Sequence, residues 1–172
     1  KNWITNGGRA DIYIVIAQTN RDKGHKGINA FIVEKGMPGF EIGPKEDKLG
    51  IRGSDTHTLQ FNDVKVPKEN RIGDDGFGFK FAMKTLSGGR IGIAAQALGI
   101  ASGAYDLALK YSKERKAFGT EIHNHQAIAF KLADMYTEIE AARHMVMKAA
   151  WDKDNGHNYD LSSAMAKLYA SK

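Results

Sequence analysis

The sequence changes character near residue 75, and that change constrains the fold more than any other feature. Before it, apolar residues come in short, β-rich runs. Asp11 to Ala17 reads Asp-Ile-Tyr-Ile-Val-Ile-Ala, the β-branched density of a buried strand. The polar segment from Asn20 to Gly27 holds two glycines and predicts a turn. Ile28 to Val33 then predicts a second strand, so the pair should form a hairpin. Met37-Pro38-Gly39 is a further turn signal. Thr56, Thr58, Gln60 and Asn62 alternate with His57, Leu59, Phe61 and Asp63, the period of a strand with one wet face. Beyond residue 75 the period changes. Ala94, Ala95, Leu98, Ala101, Tyr105 and Leu109 recur at helical spacing, predicting a helix from about Gly88 to about Arg115. A second helix is predicted from His125 to Lys153, with Leu132, Ala133, Tyr136, Ile139, Ala142, Val146 and Ala149 on its apolar side. Gly156 ends it, and Asp160 is the expected N-cap of a third. Both ends of the chain fall inside patterned sequence, which suggests an internal piece of a longer protein.

Composition excludes several classes. Among 172 residues, 42% are hydrophobic, enough for a core at this size. The 25 basic against 20 acidic residues leave a net charge of +5, and the lysines are scattered, which argues against nucleic acid. The absence of cysteine removes disulfide and thiolate chemistry. No apolar stretch is expected to reach the ~20 residues of a membrane span. Gly73, Gly76 and Gly78 do not make a dinucleotide loop, since no βαβ pattern surrounds them. His123 and His125 would point apart on a helix, so no metal site is expected.

Eight strings in fixed order carry a more specific signal. They are Lys1-Asn2-Trp3-Ile4-Thr5-Asn6-Gly7-Gly8, Gly27 to Lys35 (GINAFIVEK), Glu46 to Ser54 (EDKLGIRGS) and Val66-Pro67-Lys68-Glu69-Asn70. Then come Gly76-Phe77-Gly78-Phe79-Lys80, Gly89 to Gly99 (GRIGIAAQALG), Glu114-Arg115-Lys116-Ala117-Phe118-Gly119 and Lys131-Leu132-Ala133-Asp134-Met135. Together they resemble the acyl-CoA dehydrogenase family, closest to its short-chain branch, over essentially the whole chain. The resemblance implies an α+β chain: an antiparallel β sheet or partial barrel, then an incomplete antiparallel helical bundle. Residues 1–75 would be the later part of the middle β domain, and residues 76–172 the start of the C-terminal helical domain.

The resemblance also implies FAD as cofactor and an acyl-CoA substrate. Trp3, Ile4 and Thr5 match the Trp-x-Thr that faces the isoalloxazine, although a tryptophan on a strand is more often core. Arg115, Phe118 and Gln126 match positions that bind the ADP part of FAD across a subunit interface. An arginine fork suits a pyrophosphate. Ser87 and Arg90 match substrate-site positions. Arg90, expected at a helix start, would be poorly placed there by the dipole alone, which adds weight to a special role.

The family's catalytic glutamate lies in a late loop, expected beyond Lys172, or in a minority just before the arginine matched by Arg90. Here that position is Gly89, so no catalytic base is expected within the chain. Glu114, Glu121, Glu138 and Glu140 read as exposed carboxylates. The resemblance further implies an electron-transfer flavoprotein as electron acceptor and a homodimer or homotetramer, with no membrane association. It is compatible with a bacterial cytoplasm or a mitochondrial matrix. Two other readings stay open: a flavin oxygenase or nitroalkane-type relative on the same fold, and a non-catalytic assembly module.

Overall fold

A computed structural model describes residues 1–172. They form two compact units, Lys1–Met83 and Lys84–Lys172.

The first unit is built from antiparallel strands. β2 (Ile12–Gln18) and β3 (Ile28–Glu34) form the expected hairpin, with Ile12 opposite Glu34 and Gln18 opposite Ile28. Their link is a 3₁₀ segment, Arg21–Gly27, capped by the Asn20 side chain, which accepts from Asp22 N–H at 3.1 Å. A second sheet has the order β1-β5-β4, from β1 (Ile4–Thr5), β5 (Thr56–Phe61) and β4 (Phe40–Lys45). The core lies where Tyr13, Val33, Phe40 and Leu59 meet, with the Phe40 ring stacked on Phe61 at 5.0 Å and edge-on to Tyr13 at 4.8 Å.

One element of this sheet differs from the sequence reading. β4 is an additional strand. It carries Gly43-Pro44, and its register against β5 shifts between Ile42 and Lys45. A proline confined to such an irregularity hides the strand's period. In β5, Thr56 is buried. It lies opposite Thr5, and its carbonyl accepts from Glu46 N–H at 2.9 Å.

A long helix, α1 (Gly78–Glu114), starts ten residues before the Gly88 expected from sequence. Its first turn is fixed from the first unit. Gly76, at φ +82°, brings its N–H within 2.9 Å of the Asn29 carboxamide oxygen, and a Cβ on Gly78 would stand 2.4 Å from the Asn29 backbone carbon. Only glycines permit this turn and this approach. Gly88 and Gly89 therefore lie within the helix and do not begin it. α1 is also long and apolar enough, by length and composition, to cross a membrane, which corrects the expectation that no stretch reaches that size. Its small and apolar residues run on both sides of Gly88-Gly89.

In the second unit α1 meets α2 (Gln126–Asp154), which packs on α3 (Asp160–Ala170). The pairing is antiparallel: Tyr105 meets Tyr136, Ser102 meets Arg143, and Gly88 faces Lys153. The core joins Ala94 and Leu98 of α1 to Ile139, Ala142, Val146 and Ala149 of α2 and Ala166 of α3. Of the predicted apolar side of α2, Ala133 and Tyr136 are exposed. Asp160 is the first residue of α3 and not its cap. The Asn158 carboxamide accepts from Asp160 N–H at 3.0 Å.

Candidate functional site

The Trp3 segment begins with an unfavourable backbone. Trp3 has φ +56° immediately before the two-residue strand β1. A bulky side chain in this left-handed region costs ~1–3 kcal/mol and persists only when its surroundings hold it. The expected reason for a strand tryptophan, burial, is absent: Trp3 is 74% exposed. Thr5 is exposed beside it. The segment thus leaves exposed an indole just before β1 and a hydroxyl at its end.

What holds the segment lies in β5 and the residue before it. Ile4 is opposite His57, and Thr5 is opposite Thr56. Asn6 N–H donates to the Asp55 carbonyl at 2.8 Å, and Gly8 N–H donates to Asp55 Oδ2 at 2.8 Å. Asp55 Oδ1 lies 2.9 Å from His57 Nε2, and His57 Nδ1 lies 2.7 Å from the Gly43 carbonyl. The Tyr13 hydroxyl lies 2.8 Å from the carbonyls of both Gly7 and Ala10, which share its one proton. Desolvation would raise the Asp55 carboxyl, but the Gly8 N–H and His57 outweigh it and hold it below the usual value. His57 is pushed up, by the Gly43 carbonyl first and then, against a smaller desolvation penalty, by Asp55. Sequence reasoning missed this pair. The available signal was Asp55-x-His57 beside a period-two strand, since residues two apart share a face.

In the second unit, Arg115, Phe118 and Gln126 come together around one hairpin. Arg115 follows the last residue of α1, and its N–H donates to the Tyr111 carbonyl at 2.9 Å. β6 (Lys116–Ala117) and β7 (Thr120–Glu121) enclose the pair Phe118-Gly119, with φ +54° and +80°. Positive φ at both central residues is the tight turn that favours Asn-Gly. Phe118 occupies it instead and is 98% exposed, its ring edge-on to His125 at 6.0 Å. Gln126 opens α2 and is exposed. His125 braces the hairpin through Nε2, 3.1 Å from the Ala117 carbonyl. His123 lies in the 3₁₀ turn Ile122–Asn124 and His125 caps α2, so the two do not share one α-helix.

Ser87 and Arg90 are brought together one turn apart on α1. Ser87 is buried, and Arg90 Nη1 donates to Ser87 Oγ at 3.3 Å. Because α1 starts at Gly78, Arg90 is in mid-helix, and the dipole argument for its special role no longer holds. Gly89 between them is exposed, with nothing within 4 Å of a would-be Cβ. Glu114, Glu121 and Glu140 pair with Lys110, His123 and Arg143 at 4.0, 3.7 and 3.0 Å. These are surface pairs worth little individually.

Each unit, taken by itself, offers groups of a kind suited to one part of a flavin dinucleotide. The first unit offers an exposed flat indole and a hydroxyl. The second offers an exposed guanidinium, a projecting phenyl ring and a carboxamide around a hairpin. Such groups suit aromatic ring faces and a diphosphate.

Comparison with known proteins identifies the family. The acyl-CoA dehydrogenase middle-domain model matches residues 1–64, and the C-terminal-domain model matches residues 76–172. The chain is 57% identical over 171 residues to a short-chain-specific acyl-CoA dehydrogenase of Megasphaera elsdenii, covering 99% of this chain and 45% of that protein. It thus spans less than half the length of that relative. The solved butyryl-CoA dehydrogenase of the same organism superposes with a TM-score of 0.92 at 57% identity, over 99% of this chain and 44% of that one. A solved structure of PigA with FAD and proline superposes at 0.94 with 31% identity, over 98% and 44% of the two chains. The chain belongs to the acyl-CoA dehydrogenase family, with sequence from both the middle and the C-terminal domains.

Proposed function

We propose that this chain forms part of the flavin and substrate site of an FAD-dependent acyl-CoA dehydrogenase that acts on short-chain acyl-CoA thioesters. One observation carries the reading: two aromatic side chains, Trp3 and Phe118, are held outward on left-handed backbone at the positions the resemblance assigns to FAD. Structural strain of this kind concentrates at functional sites. The higher identity to the butyryl-CoA enzyme than to PigA favours a short acyl-CoA over other substrates of the fold.

FAD, when bound, supplies the redox chemistry by accepting the β hydrogen of the acyl chain as hydride. The chain's residues bind and orient. Trp3 gives an apolar wall to the ring system, and the Thr5 hydroxyl donates to its polar edge. Arg115 binds the diphosphate as a fixed cation, with Phe118 and Gln126 around the adenosine part. Ser87 and Arg90 lie on the substrate side, Ser87 restraining the Arg90 guanidinium. The residue that removes the α proton lies outside this chain, since the one alternative position is Gly89. An electron-transfer flavoprotein takes the electrons onward.

The same reading makes the protein a homo-oligomer, because Arg115, Phe118 and Gln126 would serve a neighbouring subunit's flavin. The back of α1 supports this. Leu86, Ile93, Ile100 and Leu107 recur every seventh residue and are all exposed, an apolar stripe of the kind that marks interfaces.

In the intact protein, Arg115→Ala should weaken FAD binding by roughly 10- to 100-fold, the worth of a charge-assisted bond, and leave the hydride step nearly unchanged. Unchanged FAD affinity with slower turnover would remove Arg115 from the diphosphate.

A further inference from the structure

The Asp55–His57 pair has a consequence for the Trp3 segment. Both ring nitrogens of His57 face groups that only accept: the Gly43 carbonyl at 2.7 Å from Nδ1 and Asp55 Oδ1 at 2.9 Å from Nε2. A neutral imidazole carries one N–H and could satisfy only one of them. Two acceptors require two N–H groups, hence the imidazolium. The other Asp55 oxygen is committed to Gly8 N–H at 2.8 Å, and its carbonyl accepts from Asn6 N–H at 2.8 Å. The side chains are only 15% and 16% exposed, so water replaces these bonds poorly. The ring and the turn also interlock sterically. A Cβ on Gly8 would lie 2.6 Å from His57 Nε2, and one on Gly7 would lie 2.9 Å from His57 Cβ.

We propose that His57, as an imidazolium clamped between Gly43 and Asp55, is a positioning residue that holds Trp3, Ile4 and Thr5 in place through Asp55 and the Asn6–Gly8 turn. That the clamp serves cofactor orientation rests on the flavin reading; the clamp itself does not.

The pH dependence follows from the groups around the ring. Asp55 favours the charged ring. Lys45, opposite His57 on β4, opposes it. Lys35 binds the Gly8 carbonyl at 3.1 Å, and the Tyr13 hydroxyl, its own titration pushed up by burial and then by Asp11 and Asp55, binds the Gly7 carbonyl. Glu46 is engaged with the Thr58 hydroxyl. With His57 raised above 6.5, the clamp is complete below that value and is lost as pH rises through the folded-state value. With Asp55 lowered below 3.8, its contribution is present above that value and is lost as pH falls through the lowered folded-state value.

The test is fluorotryptophan NMR on the intact protein as isolated, with the Trp3 resonance identified by its loss in Trp3→Phe, titrated from about pH 5.5 to about pH 9 around the histidine range. The wild type should show one step, centred above 6.5. His57→Gln should abolish it. His57→Arg, a permanent cation with several donors, should hold the resonance at its acid position throughout. Should that variant not fold, Asp55→Asn should move the step to lower pH. A flat wild-type titration, a step that survives His57→Gln, or one unmoved by Asp55→Asn overturns the proposal. Repeating the titration after flavin removal separates the two readings. The pH step persists if the clamp is right, and the Trp3 resonance itself shifts only if Trp3 faces the flavin.

Discussion

Asn29 is the residue whose loss should most damage the first unit. It is 1% exposed and makes three side-chain bonds. Its Nδ2 donates to Thr19 Oγ1 at 2.7 Å and to Asp75 Oδ1 at 2.9 Å, and its Oδ1 accepts from Gly76 N–H at 2.9 Å. One side chain thus ties the hairpin to the turn that launches α1. Asn29→Ala leaves the Gly76 N–H without a partner, costing ~1–3 kcal/mol, and loses the Thr19 bond, worth ~1 kcal/mol. The Asp75 bond is left out of the sum because that side chain is more than half exposed. The expected loss is therefore about 2–4 kcal/mol, read by urea unfolding with an unchanged slope. Amide exchange at Gly76 should accelerate with it. Asn29→Asp should behave differently. It sets a second carboxylate beside Asp75, whose own titration Asn29 lowers in the native protein. The pair's folded-state values then rise, so the defect is largest near neutral pH and shrinks on acidification toward about pH 4. A loss below ~1 kcal/mol for Asn29→Ala, or a defect in Asn29→Asp that does not vary with pH, would refute the reasoning.

Thr5→Ala in the intact protein should retain FAD and slow flavin reduction, measured by stopped-flow; an unchanged reduction rate counts against a Thr5 contact at the polar edge of the ring. Gly78→Ala and Gly92→Ala should move the melting temperature in opposite directions. A Cβ at 78 meets Asn29 and Ala30 backbone atoms at 2.4–2.8 Å, whereas one at 92 meets nothing within 4 Å and gains up to ~1 kcal/mol of helix propensity. Equal shifts would mean that the start of α1 is not seated as described.

Sequence periodicity carried the larger elements. The hairpin of β2 and β3 and the helix α2 lie within a residue or two of their expected bounds, because long β-branched and 3.6-residue patterns are what burial demands. It failed where backbone chemistry interrupts the pattern. Gly43-Pro44 hid β4, and Gly88-Gly89 resembled a helix start because glycine usually marks an end, not an exposed interior. The candidate site residues could be named only through the resemblance to a family. Their exposure was not legible. Hydrophobicity would place Trp3 and Phe118 in a core, whereas both are exposed and stand on positive-φ backbone. The Asp55–His57 clamp was hidden for another reason: its partners, Gly8 and Gly43, are backbone groups that leave no trace in residue type.

The central claim is that these residues belong to a short-chain acyl-CoA dehydrogenase site. An anaerobic titration of the intact, flavin-loaded protein with butyryl-CoA tests it most directly, followed by the flavin's visible absorbance. Bleaching is expected as the flavin is reduced, at a rate lowered by Thr5→Ala. Flavin that stays oxidised in the presence of saturating butyryl-CoA would contradict it.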